Sequence, residues 1–373
     1  MRRRPAFNDR LMLLCHMAIG TLMSSCNGQD TPTSLGNPVA ELPRGTMIIF
    51  QDRNDNYWFG SGEGVFSYDG QHLTQFTTEH GLCNNRIRDI QEDAHGYLYF
   101  DTGAGVSKFD PEVSPGQGQQ SFTTLQVIGS DDPRNTWTLD PDDLWFAGNW
   151  NENGPYRYDG KSLYHLKFPK HPLEDIFNAR YPNASYSPYE VYSIYRDTAG
   201  DLWFGTAILG VCRFDGALLE WISEEELTEL DDGPAPGMRS IIEDQDGHFW
   251  FSHMGYRYQL SQGEAAGQQT GEIGFHRLPG PKLPAAFRGD FMYFMSAVND
   301  LDGNLWMVTY DSGVWRYDGN QLQHYPITRN GRVVTLFSVY LDKQGTLWLG
   351  THDAGPYRFN GQHFEPFKVS VKD

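Results

Sequence analysis

The sequence is poor in cysteine and in positive charge. It has 4 cysteines in 373 residues, and 29 lysines and arginines against 48 aspartates and glutamates give a net charge of −19. This charge excludes a binder of the nucleic-acid phosphate backbone, which attracts basic surfaces. Cys83 and Cys212 lie in different repeat contexts, so no disulfide between them is expected. Their spacing matches neither a metal site nor a nucleophile motif.

Catalytic motifs and long apolar runs are also missing. The chain contains no Gly-x-Ser-x-Gly, no His-Glu-x-x-His, no phosphate-binding loop and no Cys-x-x-Cys. After the first 25 residues, no segment is apolar enough to span a membrane. Helix-forming runs of Ala, Leu and Glu are scarce, while aromatic residues make up 14% of the chain and glycines number 40. This composition favours many short strands joined by turns.

The first 25 residues have the features of an export signal. Three arginines at positions 2–4 precede a short apolar run, Leu11–Leu22, which ends at Met23-Ser-Ser-Cys26. The run is too short for a spanning helix, and small residues before a cysteine resemble a bacterial lipobox. We predict a lipoprotein-type signal over residues 1–25, with Cys26 lipidated, and a linker over residues 26–45. The alternative is an ordinary cleaved signal with an incidental cysteine.

A repeat fills the rest of the chain. Its aromatic anchor is Trp in six copies and Tyr in one, and the anchors are 41, 46, 58, 47, 56 and 42 residues apart. The anchors are Trp58, Tyr99, Trp145, Trp203, Trp250, Trp306 and Trp348. Seven copies of a period just above forty residues predict an all-β fold, a seven-bladed β-propeller of four-stranded blades. We place the propeller at residues 46–368 and a tail at 369–373.

Each repeat contains four strand candidates in order, with Asp-Gly hairpin turns between the last two in most copies. Blade three is less regular, because its Asp140–Asp143 turn is one residue shorter relative to Trp145. Blade five carries an insertion, Gln259–Gly274, in place of the hairpin. The ring could close by exchange of a terminal strand or by side-chain packing, and the sequence leaves both open.

The repeat resembles a known family. Asp197-Thr-Ala-Gly200-Asp-Leu-Trp203-Phe-Gly-Thr206, followed by Gly210-Val-Cys-Arg-Phe-Asp215-Gly216, is similar to the two-component-regulator propeller repeat. This resemblance implies the ligand-binding sensor propellers found in periplasmic regions of bacterial hybrid histidine kinases. Here we expect such a propeller alone, on a lipid anchor, in the periplasm or at the outer membrane.

Residues that recur in every copy are expected to be structural. Asp244-Gln-Asp246-Gly247 and Asp300-Leu-Asp302-Gly303 resemble the start of a calcium loop but lack its downstream glutamate. They occupy the first turn of their repeats, where an Asx turn accounts for them. We therefore expect no metal and no cofactor. The anchor tryptophans and the recurring third-strand arginines are assigned to packing within and between blades.

Residues that differ between copies are the candidate ligand-binding residues. On the face where the strand two–three loops and the between-blade connections gather, they are Arg88, Arg239, His253, Tyr310, Asp311 and His352. Two long connections, Pro169–Tyr189 and Pro279–Tyr293, are expected to roof them. Two arginines at a channel mouth suit a carboxylated or sulfated ligand, and loop tyrosines suit sugar rings.

Three functions remain open from the sequence. The first is a non-enzymatic, extracytoplasmic binding or sensing propeller for a small molecule or an acidic oligosaccharide. The second is a propeller lyase or hydrolase acting on a polysaccharide or lactone, with His253, His352 and Tyr310 as an acid–base set. The third is a scaffold for an envelope protein partner, using the acidic loop Glu224-Glu225-Glu226.

Overall fold

The computed structural model describes residues 36–110, 121–149, 151–228, 237–261, 270–284, 287 and 293–370. Seven four-stranded blades form a ring around a central axis, which confirms the seven-bladed propeller. The predicted signal over residues 1–25 and Cys26 lie outside the described residues.

The strands follow the repeats along the chain. In blades one and two they are β1 (Asn37–Pro38), β2 (Ile48–Gln51), β3 (Tyr57–Gly60), β4 (Val65–Tyr68), β5 (Leu73–Phe76), β6 (Ile87–Glu92), β7 (Leu98–Thr102), β8 (Gly105–Phe109) and β9 (Phe122–Thr124). In blades three and four they are β10 (Val127–Ile128), β11 (Leu144–Phe146), β12 (Tyr156–Tyr158), β13 (Leu163–His165), β14 (Val191–Arg196), β15 (Leu202–Thr206), β16 (Val211–Phe214) and β17 (Leu219–Ile222).

The second half of the ring continues in the same way. In blades five and six the strands are β18 (Ile241–Glu243), β19 (Phe249–Phe251), β20 (Tyr256–Ser261), β21 (Thr270–Glu272), β22 (Gly274–Pro279), β23 (Ser296–Asn299), β24 (Leu305–Val308), β25 (Val314–Tyr317) and β26 (Leu322–Tyr325). A small hairpin, β27 (Thr328–Arg329) and β28 (Arg332–Val333), precedes blade seven. Blade seven contains β29 (Leu336–Leu341), β30 (Leu347–Thr351), β31 (Tyr357–Phe359) and β32 (Phe364–Pro366).

A short 3-10 helix, Thr78–His80, lies between blades one and two, and two α-helices lie in other connections between blades. They are α1 (Pro172–Arg180), between blades three and four, and α2 (Glu224–Thr228), between blades four and five. No helix in the described part of the chain is long and apolar enough to cross a bilayer.

Apolar clusters fill every interface between neighbouring blades. The second strand of a blade is covered on both faces, and β15 is buried along its whole length. Trp203 and Trp250 are fully buried, and Trp58, Trp145, Trp306 and Trp348 are no more than 4% exposed. A single blade cannot cover both of its faces, so the ring is what makes each sheet stable. The repeated anchors are therefore core residues.

The repeated aspartate holds the anchor in place. In blade four, Asp197 Oδ1 accepts the backbone N–H groups of residues 199 and 201, and its Oδ2 accepts the indole N–H of Trp203 at 2.7 Å. The same aspartate–indole bond recurs at 2.8–2.9 Å in blades one, five, six and seven. In blade two, the hydroxyl of Tyr99 donates to Asp93 at 2.9 Å. The carboxylate thus accepts hydrogen bonds from the backbone of its own turn, which is the pattern of an Asx turn.

Blade three differs from the prediction of four strands in order. Its sheet has the order β10-β13-β12-β11, with β10 parallel to β13 on the outer edge. Within the fully described stretch 121–149, no strand lies on the axis side of β11. Instead, Trp137 Nε1 donates to Lys167 O beyond β13, and the Trp137 ring packs 5.2 Å from Phe214 of blade four. The segment before β11 therefore packs towards blade four, and within residues 121–149 blade three has no innermost strand.

The shortened Asp140–Asp143 turn also alters the anchor of blade three. Asp143 Oδ2 accepts the Asp140 N–H and lies 3.6 Å from Arg157. The indole N–H of Trp145 is buried without a hydrogen-bond partner in the described structure. The one-residue deletion seen in the sequence therefore removes the aspartate–indole bond of this blade.

The blade-five insertion is shared between two blades. β20 and β22 pair directly as a hairpin of blade five. Between them, β21 pairs in parallel with β17 and adds a fifth strand to the outer edge of blade four.

In the part of the chain that the structure describes, the ring closes without strand exchange, through side-chain packing and hydrogen bonds. Among the described residues, blade one contains the consecutive strands β2–β5 and blade seven the consecutive strands β29–β32. The hydroxyl of Tyr57 donates to Asp342 Oδ2 at 2.8 Å, and Phe367 packs 4.8 Å from the ring of Trp348. β1, inside the predicted linker 26–45, pairs with β5. The described part of that segment therefore belongs to the propeller.

Candidate functional site

A central cavity of about 710 Å³ lies on the axis of the ring. The innermost strands of blades one, two, four, five, six and seven line it, and β11 lines it where blade three lacks that strand. Such axial cavities bind ligands in many propellers because side chains from every blade converge there. This volume lies within the range of ~300–1,000 Å³ that is typical of small-molecule sites.

Three of the six predicted site residues line the cavity, namely Arg88, Arg239 and His352. Arg88 on β6 donates to the carbonyl oxygen of Gly148 in blade three. The guanidinium carbon of Arg239 lies 3.7 Å from the ring centre of Tyr192 on β14, and the Arg239 side chain is exposed. Burial lowers the pKa of His352, which is opposed by the nearby Asp353 carboxylate.

Tyr310 and Asp311 lie beside the cavity, on the strand two–three loop of blade six. The Tyr310 ring is 51% exposed and lies 5.5 Å from the ring of His352. Asp311 is exposed and accepts a hydrogen bond from the hydroxyl of Ser312 at 3.2 Å. Neither residue lines the cavity, although Tyr310 contacts a residue that does.

His253 is not at the channel mouth, contrary to the prediction. Its side chain is fully buried, and burial lowers its pKa to about 4. Nδ1 accepts the N–H of Gly255 at 3.2 Å, and Nε2 lies 3.0 Å from the hydroxyl oxygen of Tyr258. Because Tyr258 in turn donates to Leu227 O at 2.8 Å, the neutral ring with its proton on Nε2 completes the chain. His253 holds the core of blade five together.

The proposed acid–base set is therefore not assembled. His253 is enclosed by aromatic side chains of its own blade, whereas His352 packs on Phe337 and Tyr310 in blades seven and six. A neutral, buried imidazole with both nitrogens bonded cannot exchange protons with a ligand in the cavity.

The cavity is also lined by carboxylates that were not among the residues predicted from differences between the repeats. Glu190 is 4% exposed and Asp101 2% exposed. Burial raises the pKa of Glu190, and Arg88 and Arg239 oppose that shift. Burial also raises the pKa of Asp101 to about 7, again opposed by Arg88. The two arginines therefore face acidic groups of their own protein.

A signal for Asp101 was present in the sequence. Two residues after the anchor, blades one, four and seven have Gly60, Gly205 and Gly350, whereas blade two has Asp101. At this position the inner strands of neighbouring blades usually pack closely. A carboxylate here therefore indicates that the packing between blades is different at this point of the ring. The change lies beside the missing strand of blade three.

Side chains of blade two take the place of that strand. Gln91 Nε2 donates to Trp145 O at 2.7 Å, and the N–H of Ala147 donates to Asp101 Oδ2 at 3.2 Å. Arg88 adds its bond to Gly148 O. A buried backbone edge would otherwise leave polar groups unpaired. We call Arg88, Gln91 and Asp101 the clasp, because together they satisfy the inner edge of blade three.

The long connection Pro169–Tyr189 forms its own small core. Phe177 of α1 is buried, with the rings of Tyr181 and Tyr186 at 5.5 and 5.6 Å. The hydroxyl of Tyr189 donates to Glu174 at 2.8 Å. These aromatic residues pack on one another, so their side chains stabilise the connection. Of the second connection, Pro279–Tyr293, residues 285–286 and 288–292 lie outside the described residues.

Two other candidates from the sequence are structural. The predicted acidic loop at residues 224–226 is the start of α2, where Glu224 is buried and Glu226 accepts the N–H of Ser223 at 3.1 Å. It is therefore not a free acidic loop. Asp244, Asp246 and His248 have ligand atoms within 4.8 Å of one another. However, Asp244 already accepts two backbone N–H groups and the indole of Trp250, as in the other blades.

Two segments of the chain, residues 185–207 and 329–353, match the family model of the two-component regulator propeller. These two segments are similar to repeats of that family, which confirms the resemblance inferred from the motif. No curated protein matches the sequence.

Several solved structures share the fold. The extracellular domain of the hybrid two-component system BT4673 from B. thetaiotaomicron is 23% identical, with a TM-score of 0.55 over 86% of this chain and 39% of that one. The corresponding domain of BT3049 from the same organism is 16% identical, with a TM-score of 0.55 over 88% of this chain and 40% of that one. The present chain therefore spans about two fifths of their length.

An enzyme shares the fold as well. Virginiamycin B lyase from Staphylococcus aureus is 14% identical, with a TM-score of 0.53 over 85% of this chain and 96% of that one. At these identities, the likeness to all three proteins establishes the propeller fold alone.

Proposed function

We propose that this chain is an extracytoplasmic, non-enzymatic propeller that binds a ligand in its central cavity and acts in sensing. The observation that carries the proposal is the axial cavity of about 710 Å³, where Arg88, Arg239 and His352 converge from blades two, five and seven. The repeat family and the extracellular sensor domains of similar fold support the same role.

The ligand class follows from the groups in the cavity. Arg239 is exposed and stacked on Tyr192, so its N–H groups can form a paired contact with a carboxylate or sulfate. Glu190 and Asp89 line the same cavity and can accept hydrogen bonds from hydroxyl groups. A ligand with one anionic group and several hydroxyls satisfies both. We therefore propose an acidic oligosaccharide.

Removal of Arg239 tests this ligand class. Charge-assisted hydrogen bonds contribute about 1.5–3 kcal/mol, so Arg239→Ala should weaken binding of trigalacturonate by about ten- to a hundredfold. Isothermal titration calorimetry on the full exported chain measures the loss, and the affinity should also fall as salt rises.

Arg332→Ala is the matched control, because Arg332 is an exposed arginine on β28 that does not line the cavity. Its affinity should equal that of the wild type. Equal binding of neutral trigalactose, or normal trigalacturonate binding by Arg239→Ala, would place the site or the ligand class elsewhere.

We further propose that Cys26 carries the lipid that holds the propeller at the bacterial envelope. The small residues before Cys26 and the preceding apolar run support this assignment. Cys26→Ser should abolish labelling with a fatty-acid analogue and move the protein from the membrane to the soluble fraction. Cys83→Ser is the control and should remain labelled. Membrane association that survives Cys26→Ser would contradict the lipid anchor.

A further inference from the structure

The clasp contains a carboxyl group at an unusual place. Asp101 lies on β7, is 2% exposed, and accepts the N–H of Ala147 across the gap left by the missing strand of blade three. It also lines the central cavity, as Arg88 does. Asp101 therefore hydrogen-bonds to a sheet edge and also lines the cavity. Its protonation state can affect both the hydrogen bond at the edge and the binding of a ligand in the cavity.

The charged groups around Asp101 come from three blades. From β6 of its own blade, Arg88 favours its ionised form and Asp89 opposes it. From blade three, Tyr156 faces Asp101, and the Tyr156 hydroxyl donates to Glu152 Oε2 at 2.7 Å. From blade four, Glu190 faces Arg88. Asp101 thus belongs to a cluster in which acidic groups outnumber the nearby arginine.

Arg88 is the cation for which these carboxylates compete. It opposes the pKa shifts of Asp101 and Glu190, whose pKa values are both raised by burial, and it also favours the ionised form of the exposed Asp89. An anionic ligand group arriving at Arg88 would add a further negative charge to the cluster. Because like charges in a buried site disfavour ionisation, the added charge would favour protonation of a carboxylate.

We infer that binding of an anionic ligand at Arg88 is coupled to the uptake of a proton by Asp101. The inference rests on the proposed function, because it concerns the same cavity and the same ligand class. With Asp101 protonated, its carbonyl oxygen still accepts the N–H of Ala147 and Arg88 keeps its bond to Gly148 O, so the edge of blade three stays satisfied while the positive charge of Arg88 attracts the ligand. With Asp101 ionised, it competes with the ligand for Arg88.

The coupling fixes the direction of the pH dependence. The pKa of Asp101 is raised to about 7, so the group is mainly protonated at pH 6 and mainly ionised at pH 8. Trigalacturonate should therefore bind about tenfold more tightly at pH 6 than at pH 8, as expected for one coupled proton over this range. His352 also lines the cavity, but burial lowers its pKa and so disfavours its charged form.

Calorimetry on the full exported chain tests the inference. The wild type should show tighter binding at pH 6 and net proton uptake at pH 7, measured in two buffers of different ionisation enthalpy. Asp101→Asn keeps an acceptor for Ala147 and should bind with the same affinity at both pH values. Asp302→Asn, an exposed acidic residue in a turn of blade six, is the matched control and should keep the wild-type pH dependence.

The outcomes separate the two proposals. Binding without pH dependence or proton uptake in the wild type, or the same pH dependence in Asp101→Asn, overturns the inference and leaves the proposed function intact. The proton count needs only the wild type, so it decides the matter even if Asp101→Asn does not fold. Absence of trigalacturonate binding by the wild type at both pH values overturns the proposed function and the inference with it.

Discussion

At the scale of single residues, the hydrogen bond between an aspartate and the anchor indole recurs in five blades of this propeller. Asp197 shows its two parts, since one carboxylate oxygen organises the turn and the other accepts the N–H of Trp203. The carboxylate thus orients a large apolar ring that must fill the space between two blades. Blade three lacks this bond, and the buried indole N–H of its Trp145 has no hydrogen-bond partner in the described structure.

This contrast predicts unequal costs for the same substitution. Trp203→Phe removes a hydrogen bond to a carboxylate, whereas Trp145→Phe removes an unpaired N–H of a ring that is buried to a similar extent. The loss of apolar area is matched, so Trp203→Phe should lower the free energy of unfolding by about 1.5–3 kcal/mol more than Trp145→Phe. Urea denaturation of both variants measures the difference. Equal losses would show that the aspartate–indole bond contributes no net stability.

At the scale of elements, blade three shows that a strand can be replaced by side chains. β11 has no inner neighbour within residues 121–149, yet Gln91 and Asp101 of blade two satisfy its edge. An amide donor and a carboxylate acceptor supply the hydrogen bonds that an adjacent backbone would have made. Side chains, rather than a strand, therefore face the axis at blade three, and the cavity extends toward this blade.

The buried carboxyl of the clasp predicts a pH dependence of stability. The pKa of Asp101 is about 7 in the folded chain and about 3.9 when unfolded. The folded chain therefore binds more protons between these values, and its stability falls as pH rises toward 7. Between pH 5 and pH 8, the wild type should lose roughly 2–3 kcal/mol relative to Asp101→Asn.

Urea denaturation at pH 5, 6.5 and 8 measures this difference. The comparison with Asp101→Asn is needed because His253, whose pKa is lowered to about 4, acts in the opposite direction. Its contribution to stability is present above pH 6.5 and is lost as pH falls toward 4. A constant difference between the two chains at all three pH values would contradict the buried, proton-binding Asp101.

At the scale of the whole molecule, the ring is closed by side-chain packing and by hydrogen bonds between blades seven and one, including the backbone bonds Thr351 N–H to Thr46 O and Gly355 N–H to Arg44 O. Phe367 follows the last strand and packs against Phe59, Tyr68 and Trp348, which join blades seven and one. The hydrogen bond from Tyr57 to Asp342 also joins blades one and seven. Because no exchanged strand joins blades seven and one among the described residues, this aromatic cluster helps to hold the ring closed.

Truncation of the closing aromatic residue therefore should weaken the entire ring. Phe367→Ala removes most of a partly buried ring and should cost about 2–4 kcal/mol, somewhat below the range for fully buried phenylalanines. Its exposed neighbour gives the control, since Lys368→Ala should change the unfolding free energy little. Denaturation followed by tryptophan fluorescence measures both. A loss for Phe367→Ala below about 1 kcal/mol would mean that other contacts hold blades seven and one together.

The blade count and the structural residues could be predicted from the sequence because their causes are local. A strand, an Asx turn and an anchor six residues later all lie within one repeat, as at Asp342 and Trp348. Repetition of that pattern seven times indicates a closed ring. The same local reasoning identified the irregular turn at Asp140 and placed Arg88, Arg239 and His352 on the side of the axis where the cavity lies.

The remaining features depend on residues that are distant in the chain. His253 is buried because Tyr258 and Leu227 surround it, and Glu190 meets Arg88 only when blades two and four face each other across the incomplete blade three. Within residues 121–149 blade three has no inner strand, and Trp137 of this segment packs against Phe214 of blade four, far away in the chain. Local patterns specify elements, whereas the competition between alternative packing partners is decided only when the ring brings those partners together.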